Sequence, residues 1–592
     1  MTSLSTDFEI SSFCVSDKLV KDVLQNPDEV EEIDGYQGQP ITGLGDVYTP
    51  EPIVEFILDS VGYTPENEIE KYPIVDLSCG TGSFIRVIVS RLKQRLHSIG
   101  YDSHNPENAN HIISTVRNNV VALDLNKMAT MRTAQLIINE LSEEISNSGV
   151  ENPIDSLRIY NTNSLHPELK GNLGEFRFVV GNPPYVRNDH IDEEDDEFFR
   201  ENFESAVGKY DLYQLFMEQG IELLEPEGLL GMVTPDRFHH TKYGEPLRKI
   251  IQDRTLIQAI VNLEEDPFPV VNAYPSISIL RKKEESILNY LYENRFLYCE
   301  ASLDKFDSIS KKLNGVEAAS APCTKLDQDD LQSDQWSFSP PEIQNLISKI
   351  GSKLEPLKQS KAAIKTGIAT GADDIFILGK ADKERIESEL LYPIVRGENI
   401  DRGEAAGFDH LLNPYSTDGE LIDISRYPEA QSYLTHHRSD LEDRYCVREA
   451  GKQWYETHDK IYTQDQVERK IVTPDITSSA KFAVVEGCIT HNTCYTISHP
   501  NDLEAFAGYL SSDAFEFILK SSLPKVESGY WRQLKRDFNK LPVIDLDSIT
   551  KSKQAELADA YTDKNWKKVN QLINTYLNLS DDDVSLIASQ VD

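Results

Sequence analysis

The residues of this chain best suited to chemistry stand just after the apolar run Phe176–Val180: Asn182, Pro183, Pro184 and Tyr185. They suit methylation of an exocyclic amino group on a planar ring, whose nitrogen is a weak nucleophile because its lone pair is delocalised. The Asn182 side-chain oxygen and the Pro183 carbonyl can hold the amino hydrogens out of the ring plane. The prolines fix φ and remove N–H donors, and Tyr185 offers a face for base stacking, worth about 1–3 kcal/mol. An ordinary turn after a strand is the alternative, because Asn-Pro is common turn chemistry.

A glycine-containing turn earlier in the chain favours the catalytic interpretation. Pro73–Leu77 has the pattern of a short buried strand, Ser78–Phe84 (SCGTGSF) that of a turn, and Ile85–Leu96 that of an amphipathic helix. Strand, glycine turn and helix form the first unit of a nucleotide-binding α/β fold, in which glycines let a ligand approach the backbone. A second apolar strand, Val120–Leu123, ends in Asp124, whose carboxylate is placed to accept both ribose hydroxyls of an adenosine.

Together these motifs resemble those of the gamma-group N6-adenine DNA methyltransferases with a C-terminal target-recognition domain of the TaqI type. The resemblance covers about residues 40–545, and the motifs occur in the family's order. It implies a doubly wound, Rossmann-like α/β domain that binds S-adenosyl-L-methionine, followed by an α+β target-recognition domain. It also implies double-stranded DNA as the substrate, with the target adenine flipped out of the duplex.

The family's functional positions fall on specific residues of this chain. Those matching the cofactor site are Tyr48, Thr49, Pro50, Asp76, Ser78, Cys79, Gly80, Gly82, Phe84, Asp124 and Asn163. Those matching the catalytic loop and the aromatic residue against the flipped adenine are Asn182, Pro183, Pro184, Tyr185 and Phe268. Thr370 and Gly371 match the glycine-rich opening of the target-recognition domain. Asn163 departs from the family's usual Asp; because an Asn carbonyl can also accept a hydrogen bond, weaker rather than lost cofactor binding is expected.

Periodicity and composition divide the chain into segments. Residues 41–290 alternate apolar strands with helices, which predicts a mainly parallel sheet. Within them the polar stretch His97–Asn110 is expected to be an inserted surface loop. The expected segments are an N-terminal arm (1–40), the methyltransferase domain (41–290), a linker region (291–345), the target-recognition domain (346–545) and an acidic helical tail (546–592).

The charge of the chain needs an explanation if the partner is DNA. The formal net charge is −40 and the pI about 4.7, whereas phosphate binding normally depends on Lys and Arg. The acidic residues are spread along the whole chain, which is typical of a protein from a halophile. In molar salt the Debye length is about 3 Å, so repulsion from DNA hardly extends beyond contact. Local basic clusters then decide DNA binding.

Three basic clusters stand out from the acidic background. They are Lys242, Arg248, Lys249 and Arg254; Arg281, Lys282 and Lys283; and Lys525, Arg532, Lys535, Arg536 and Lys540. The third overlaps Gly529–Lys540, where aromatic and basic residues interleave. This favours Arg532, Lys535 and Arg536 as contacts to DNA phosphates, because such contacts position a duplex without specifying its sequence. The alternative interpretation is that all three clusters are solvated helix faces.

The cysteine content and the hydropathy indicate the cellular compartment. Seven cysteines in 592 residues do not make a disulfide framework, and a reducing compartment is expected. Cys488, His491 and Cys494 have a spacing open to zinc, but no fourth ligand stands nearby, so no metal is predicted. The N-terminus lacks a signal pattern and no run has the length of a membrane span. We therefore expect a cytoplasmic protein without a membrane partner.

Two other functions remain open from the sequence. The same loop serves RNA adenine and protein-glutamine methyltransferases, although those enzymes are usually shorter. The second alternative is a DNA-specificity subunit without catalytic activity. Asn163 is the only motif residue that favours it. No acidic-acidic-lysine cluster typical of a nuclease precedes Tyr48. We therefore expect any restriction nuclease, or other defence-system protein, to be a separate partner.

The acidic composition yields a prediction about salt. Unscreened carboxylate repulsion at low ionic strength destabilises a compact state. The protein should therefore fold and methylate in molar KCl and lose structure on dilution. Melting temperature and methyl transfer measured from about 0.1 M to 3 M KCl check this; full activity and an unchanged melting temperature at about 0.1 M would contradict it.

Overall fold

The protein was described with a computed structural model, in which the chain forms two compact units, Met1–Pro340 and Pro341–Asp592. The structure describes residues 49–150, 156–264, 275–284, 294–316, 318, 321–331, 335–379, 383–523, 525–526 and 530–591. The predicted arm at 1–40 lies outside the described residues. Among the described residues, no helix combines the length and the apolar character needed to cross a bilayer.

The first unit is built on a nine-stranded sheet with the order β3-β2-β1-β4-β5-β7-β6-β8-β9. Its strands are β1 (Ile74–Asp76), β2 (Val120–Asp124), β3 (Arg158–Asn161), β4 (Phe176–Gly181), β5 (Leu224–Pro235), β6 (Thr255–Leu263), β7 (Pro275–Lys282), β8 (Arg295–Ala301) and β9 (Cys323–Asp327). Strands β3, β2, β1, β4 and β5 are parallel, whereas β7 is antiparallel to both of its neighbours. Strand order reverses between β1 and β4, the switch point at which doubly wound sheets bind ligands.

Helices cover both faces of this sheet. They are α1 (Glu51–Ser60), α2 (Ser83–Ser98), α3 (Pro106–Asn119), α4 (Lys127–Glu140), α5 (Ser142–Asn147), α6 (Leu169–Leu173), α7 (Glu193–Asn202), α8 (Leu212–Leu223), α9 (Glu245–Arg254) and α10 (Phe306–Leu313). One apolar cluster packs α1 to α4 and α10 against the sheet, and a second packs α7, α8 and α9. The strands between them are buried on both sides, which explains their nearly continuous apolar runs. The doubly wound α/β fold predicted from the sequence is confirmed.

The surface loop expected at 97–110 is wrong at both ends, because α2 extends to Ser98 and α3 begins at Pro106. The Asn105 side chain accepts hydrogen bonds from the backbone N–H groups of Glu107 and Asn108. Asn as the cap, Pro as the first helical residue and Glu in the first turn form a known helix-start pattern. The polar composition of the stretch concealed this signal, since α3 is only half buried.

The region expected to be a linker, 291–345, instead contributes two strands and a helix to the first unit. β8 pairs with β6 and β9 pairs with β8, and Trp336 is buried in the core beyond them. A disulfide joins Cys299 to Cys323 across the β8–β9 pair, although no disulfide framework is expected from the sequence. The other described cysteines are free and buried: Cys79, Cys446, Cys488 and Cys494.

The second unit is α+β and contains several small sheets. Its helices are α11 (Pro341–Gly351), α12 (Asp373–Phe376), α13 (Pro428–His436), α14 (Arg438–Glu442), α15 (Tyr445–Arg448), α16 (Thr463–Val467), α17 (Leu503–Leu510), α18 (Asp513–Ser522), α19 (Lys535–Phe538), α20 (Lys551–Thr562), α21 (Trp566–Leu577) and α22 (Asp581–Val591). Its strands are β10 (Glu355–Pro356), β11 (Ala363–Thr366), β12 (Ile377–Leu378), β13 (Leu391–Val395), β14 (Ile400–Asp401), β15 (Glu404–Ala405), β16 (Asp409–Leu412), β17 (Lys470–Pro474), β18 (Ile476–Thr477), β19 (Ala483–Val485), β20 (Ile489–Thr490), β21 (Cys494–Ser498), β22 (Lys525–Val526), β23 (Tyr530–Arg532) and β24 (Pro542–Val543).

Among the described residues these strands form three larger sheets, with the orders β11-β21-β17-β19, β12-β16-β13-β20 and β18-β23-β22, and two two-stranded sheets, β10-β24 and β14-β15. The acidic tail after residue 546 is helical, as predicted, but it is not a separate appendage. Leu557, Ile573 and Ile587 from its three helices are buried in the same apolar cluster as α17 and α18. The tail is therefore part of the core of the second unit.

A buried histidine in the first unit yields a prediction about pH. His239 is fully buried among Phe238, Trp336 and Phe338, and neither ring nitrogen has a hydrogen-bond partner among the described residues. Burial lowers its pKa well below the usual value, and the nearby charges of His240 and Arg248 lower it further. His239 thus stays neutral in the folded protein, whereas the unfolded chain takes up a proton below about pH 6.5. The full stability is present above that pH and is lost as the pH falls, by up to about 1.4 kcal/mol per pH unit.

Replacing His239 by Phe should remove this part of the pH dependence, because a Phe ring fits the aromatic cluster and does not titrate. Denaturant unfolding of wild type and variant at pH 7.5 and pH 5 measures the difference. The exposed His104, replaced in the same way, is the control. An equal loss of stability in wild type and H239F on acidification would contradict the prediction.

Candidate functional site

The predicted site residues of the first unit converge at one edge of the sheet. Asp76 ends β1, Asp124 ends β2 and Gly181 ends β4. Because these strands are parallel, their carboxyl ends meet at the same edge, which we call the carboxyl edge. Asn163 and Asn182 follow β3 and β4 directly and lie there too.

The glycine turn is tied to Asp124 by backbone hydrogen bonds. Gly80 N–H donates to Asp124 Oδ2 at 2.9 Å, and Asn126 N–H donates to Oδ1 at 2.7 Å. Gly80 and Gly82 have φ of 51° and 91°, values that favour glycine. A Cβ on Gly82 would lie 2.8 Å from Leu136 Cδ1, so the turn also packs closely on α4. The hydrogen bonds and this packing hold the turn in one conformation, in which the backbone at Gly80 is accessible because Gly80 has no side chain.

Asp76 is buried at the junction of β1 and β4. Its Oδ1 accepts a hydrogen bond from Ser78 N–H at 3.0 Å. Burial raises the pKa of Asp76 to about 7, and the negative charge of Asp124 also raises it. A buried carboxyl group with this pKa suits a positively charged ligand group, because such a group stabilises the ionised form.

The Asn182 loop is held by three hydrogen bonds to distant parts of the chain. The Asn182 carbonyl accepts from Ser78 Oγ at 3.1 Å, and its side-chain Nδ2 donates to Thr49 Oγ1 at 3.1 Å. Thr49 is itself buried. The Tyr185 hydroxyl donates to the Val233 carbonyl at 3.4 Å, which ties the loop to β5. The Asn182 loop is therefore bonded directly to the residues of the glycine turn. The hydrogen bond to Thr49 sets the orientation of the Asn182 side-chain amide.

Asn163, the position that departs from the family pattern, is buried beside the site. Its side-chain oxygen accepts from Leu165 N–H at 2.9 Å. The adjacent Ser164 hydroxyl donates to the Leu77 carbonyl at 2.6 Å. One lone pair of the Asn163 oxygen thus serves the backbone, while a carbonyl oxygen can accept a second hydrogen bond. Tyr48 and Phe268, also predicted as site residues, lie outside the described residues.

Sequence reasoning missed three residues at this edge. Leu125 and Met128 have relative exposures of 50% and 51% although both are apolar, and they follow Asp124 directly. An apolar residue after the strand-end acid was a usable signal. Thr133 is buried in α4, and its hydroxyl donates to the Gly80 carbonyl at 3.1 Å. Nothing in the sequence distinguishes Thr133 from an ordinary helix residue.

In the second unit the predicted DNA-binding residues differ in accessibility. Thr370 is fully buried and its hydroxyl donates to the Asp373 carboxylate, so its side chain holds the turn that begins at Gly371. Arg532, Lys535 and Arg536 are exposed, and Arg536 forms an ion pair with Asp537 at 3.2 Å. Their contact with DNA stays a prediction.

The other two basic clusters are mostly engaged within the first unit. Arg248 is fully buried and donates to the Thr241 carbonyl at 2.9 Å, so its expected surface role is wrong. Arg254 and Arg281 form ion pairs with glutamates. Lys282 and Lys283 donate to backbone carbonyls. Each therefore stabilises the fold locally, since the neighbouring carboxylates and carbonyls are within direct reach.

Cys488, His491 and Cys494 have a spacing that would allow zinc binding, but His491 and Cys494 have other partners. His491 is buried, with one ring nitrogen 2.9 Å from Thr493 Oγ1 and the other 3.0 Å from Asp373 Oδ2. The Cys494 thiol lies 3.9 Å from the Val395 carbonyl. The described residues include no group of three metal-ligating side chains.

Comparison with known proteins shows which family this chain resembles. Residues 105–268, which include Asp124 and the Asn182 loop, match the family model described as Eco57I restriction-modification methylase. The chain is 26% identical over 558 residues to the Type II methyltransferase M.BstVI of Geobacillus stearothermophilus, covering 92% of this chain and 97% of that protein. This chain resembles Type II restriction–modification methyltransferases.

Two further comparisons extend that similarity. The chain is 24% identical to the Type II methyltransferase M.PaeR7I of Pseudomonas aeruginosa, covering 92% of this chain and 93% of that protein. Among solved structures, the Type IIL restriction-modification enzyme MmeI in complex with DNA matches with a TM-score of 0.61 and 13% identity. That match covers 91% of this chain and 76% of MmeI. At this level of identity the match shows that the two proteins share a fold.

The contact between β1 and β4 yields a prediction. A Cβ added at Gly181 would lie 2.8 Å from Asp76 Oδ1, at a backbone φ of 155°. Gly181→Ala should therefore displace the Asn182 loop, lower methyl transfer by at least about 100-fold and destabilise the protein by about 1–3 kcal/mol. Gly171→Ala, where a Cβ meets no atom within 4 Å, is the matched control. Initial rates and thermal melts measure both effects; normal turnover by G181A would refute the close-approach argument.

Proposed function

We propose that this protein is a site-specific DNA adenine-N6 methyltransferase that uses S-adenosyl-L-methionine, within a restriction–modification or phage-defence system. The observation that carries the proposal is the placement of Asn182. Its amide donates to Thr49 and its carbonyl accepts from Ser78, at the edge where Gly80 is bonded to Asp124. The similarity to Type II methyltransferases over most of the chain supports DNA as the substrate.

The residues at the carboxyl edge fit S-adenosyl-L-methionine. Gly80 presents backbone without a side chain, and Asp124 is placed for the ribose hydroxyls. The exposed Leu125 and Met128 offer an apolar surface for the adenine ring. The buried Asp76 carboxyl suits the positive charge of the methionine part. When bound, the cofactor supplies a methyl group already activated on sulfonium.

The chain's own contribution to catalysis is positioning. A target adenine must leave the duplex stack, at a cost of a few kcal/mol, and Tyr185 would receive its face. The Asn182 side-chain oxygen and the Pro183 carbonyl would accept hydrogen bonds from the amino group and direct its lone pair to the methyl group. No strong base is required, because the methyl group is activated and correct placement lowers the barrier. Phe268 is proposed to lie against the other face of the adenine.

The second unit is proposed to select the DNA sequence. The catalytic loop sees only the adenine and its sugar, so base-edge contacts must come from elsewhere, and Arg, Lys, Asn and Gln are the usual readers. Arg532, Lys535 and Arg536 would hold phosphates, and the turn at Thr370 and Gly371 would lie near the duplex.

RNA adenine and protein glutamine are weaker candidates as substrates, because two relatives that each match 92% of the chain are Type II methyltransferases. A silent specificity subunit is disfavoured by the intact connection between the glycine turn and the catalytic loop. A separate restriction nuclease or another defence protein, in the cytoplasm, is the partner we propose besides double-stranded DNA.

Replacing Asn182 by Ala tests the catalytic assignment. The variant should lose about 100- to 1,000-fold in kcat, as removal of one charge-orienting hydrogen-bonding group does elsewhere, while cofactor affinity stays within a few-fold. Tritium transfer from labelled cofactor to DNA, and calorimetry with the cofactor, give the two quantities. Asn172→Ala on the exposed helix α6 is the control. Equal turnover by N182A and wild type would refute the assignment, and label appearing in RNA or protein rather than DNA would refute the substrate.

The double variant Lys535→Ala, Arg536→Ala tests the role of the second unit. Phosphate contacts do not read sequence, so this variant should bind all duplexes more weakly and keep the methylated motif. The salt dependence of log K should fall by about 1–2 in slope. Lys551→Ala, Lys553→Ala, with the same change of charge on α20, is the control.

Binding titrations across salt concentrations and sequencing of methylated bases in both variants supply the measurements. A changed motif would mean that these residues read bases. An unchanged affinity would mean that they do not contact DNA.

A further inference from the structure

An exposed tyrosine stands beside the catalytic loop without a role in the site described above. Tyr243 lies in a short turn, Lys242–Gly244, that follows β5. β5 runs parallel to β4, so the chain leaves both strands at the same carboxyl edge. It reaches the turn at Tyr243 after one intervening short turn, Asp236–His239. The relative exposure of Tyr243 is 38%, although its ring is held in one place.

The ring of Tyr243 packs on the backbone of Gly208. A Cβ at Gly208 would lie 2.4 Å from ring atom Cδ1 of Tyr243, and Gly208 has a φ of 66°. No other residue type would let the ring approach this closely. The contact therefore depends on glycine both for its backbone conformation and for the space that the missing side chain leaves.

Gly208 is in turn fixed to the segment that leaves the catalytic loop. Its carbonyl accepts from Asn188 Nδ2 at 3.3 Å and from Arg200 Nη2 at 2.9 Å. The Asn188 N–H donates to the Tyr210 carbonyl at 3.0 Å, and Asn188 follows closely on Tyr185. Tyr243 is thus connected to the catalytic loop through its packing on Gly208 and the hydrogen bond from the Asn188 side chain to the Gly208 carbonyl.

The surroundings of Tyr243 suit nucleic acid. Lys209 and Lys242 are both exposed, and neither forms an ion pair with any residue in the described part of the chain. Val207, with a relative exposure of 51%, adds a second apolar side chain. The chain has a net charge of −40, so two lysines without an ion pair give this place a local positive charge that can attract DNA phosphates. The exposed apolar side chains beside them can fill a gap in the base stack.

We infer that Tyr243 is a wedge: it enters the duplex and occupies the gap that the flipped adenine leaves. This inference rests on the proposed function, because a gap arises only if the base is flipped. Inserted apolar or aromatic side chains offset lost base stacking in other proteins that deform DNA. The support from Gly208 keeps the ring in place before DNA arrives, so little side-chain entropy is lost on insertion.

The test uses the full-length protein, DNA containing its methylation motif, and 2-aminopurine at the target position. Tyr243→Ala should bind ordinary duplex about tenfold to a hundredfold more weakly, the range expected for one lost base stack. It should also show a smaller fluorescence rise on flipping. On a duplex whose target base is mismatched, unstacking costs least, so the variant should come within a few-fold of wild type. Tyr243→Phe should behave as wild type on both duplexes.

Tyr72→Ala is the matched control. Tyr72 has the same relative exposure, 38%, but precedes β1 and therefore lies at the opposite edge of the sheet. The Tyr72→Ala variant should leave DNA binding and base flipping unchanged. Gly208→Ala displaces the ring without removing it and should reproduce the Tyr243→Ala result, including the recovery on mismatched duplex.

Two results would overturn the wedge. One is wild-type flipping and affinity of Y243A on ordinary duplex. The other is an equal loss on ordinary and mismatched duplexes, which would give Tyr243 a purely structural role. A wild-type protein that transfers no methyl group to DNA would instead overturn the proposed function, and the wedge with it.

Discussion

The close approach of β1 and β4 is the constraint on which the site depends. Strand order reverses between these two strands, and Gly181 lets the backbone of β4 pass within contact of the Asp76 carboxyl. Ser78, immediately beyond β1, bonds to both Asp76 and Asn182. The glycine turn and the Asn182 loop are therefore not two independent loops. A displacement at either strand end moves both, and this suits a reaction whose rate depends on alignment.

Whether a feature of the fold or the site could be predicted from the sequence depends on how far apart in the chain the interacting residues are. The strand, turn and helix at 73–96 are specified locally, by apolar runs and glycines, and the structure has them as predicted. The hydrogen bond between Thr49 and Asn182 spans 133 residues, and no spacing rule connects positions so far apart. Strands β8 and β9 were missed for the same reason, because a short strand gains its identity from the neighbour with which it pairs.

Side-chain fate was the least predictable feature. Arg248 and Lys282 looked like members of basic surface clusters, yet one is buried and the other donates to backbone carbonyls. The sequence reports charge but not which carbonyl or carboxylate lies within reach of it after folding. In an acidic protein most cations find such partners. Among the described residues, exposed lysines without an ion pair, such as Lys209 and Lys242, are informative where they also adjoin exposed apolar side chains.

The place of the last helices has a consequence during synthesis on the ribosome. The first unit ends at Pro340, and a domain can fold once its own residues have emerged. The core of the second unit includes Ile587 on α22, and Lys520 donates to the carbonyl of Val591 at 2.9 Å. That core cannot close until Ile587 has been translated. A stop codon before this residue would therefore leave the second unit with an open core, which proteases could attack.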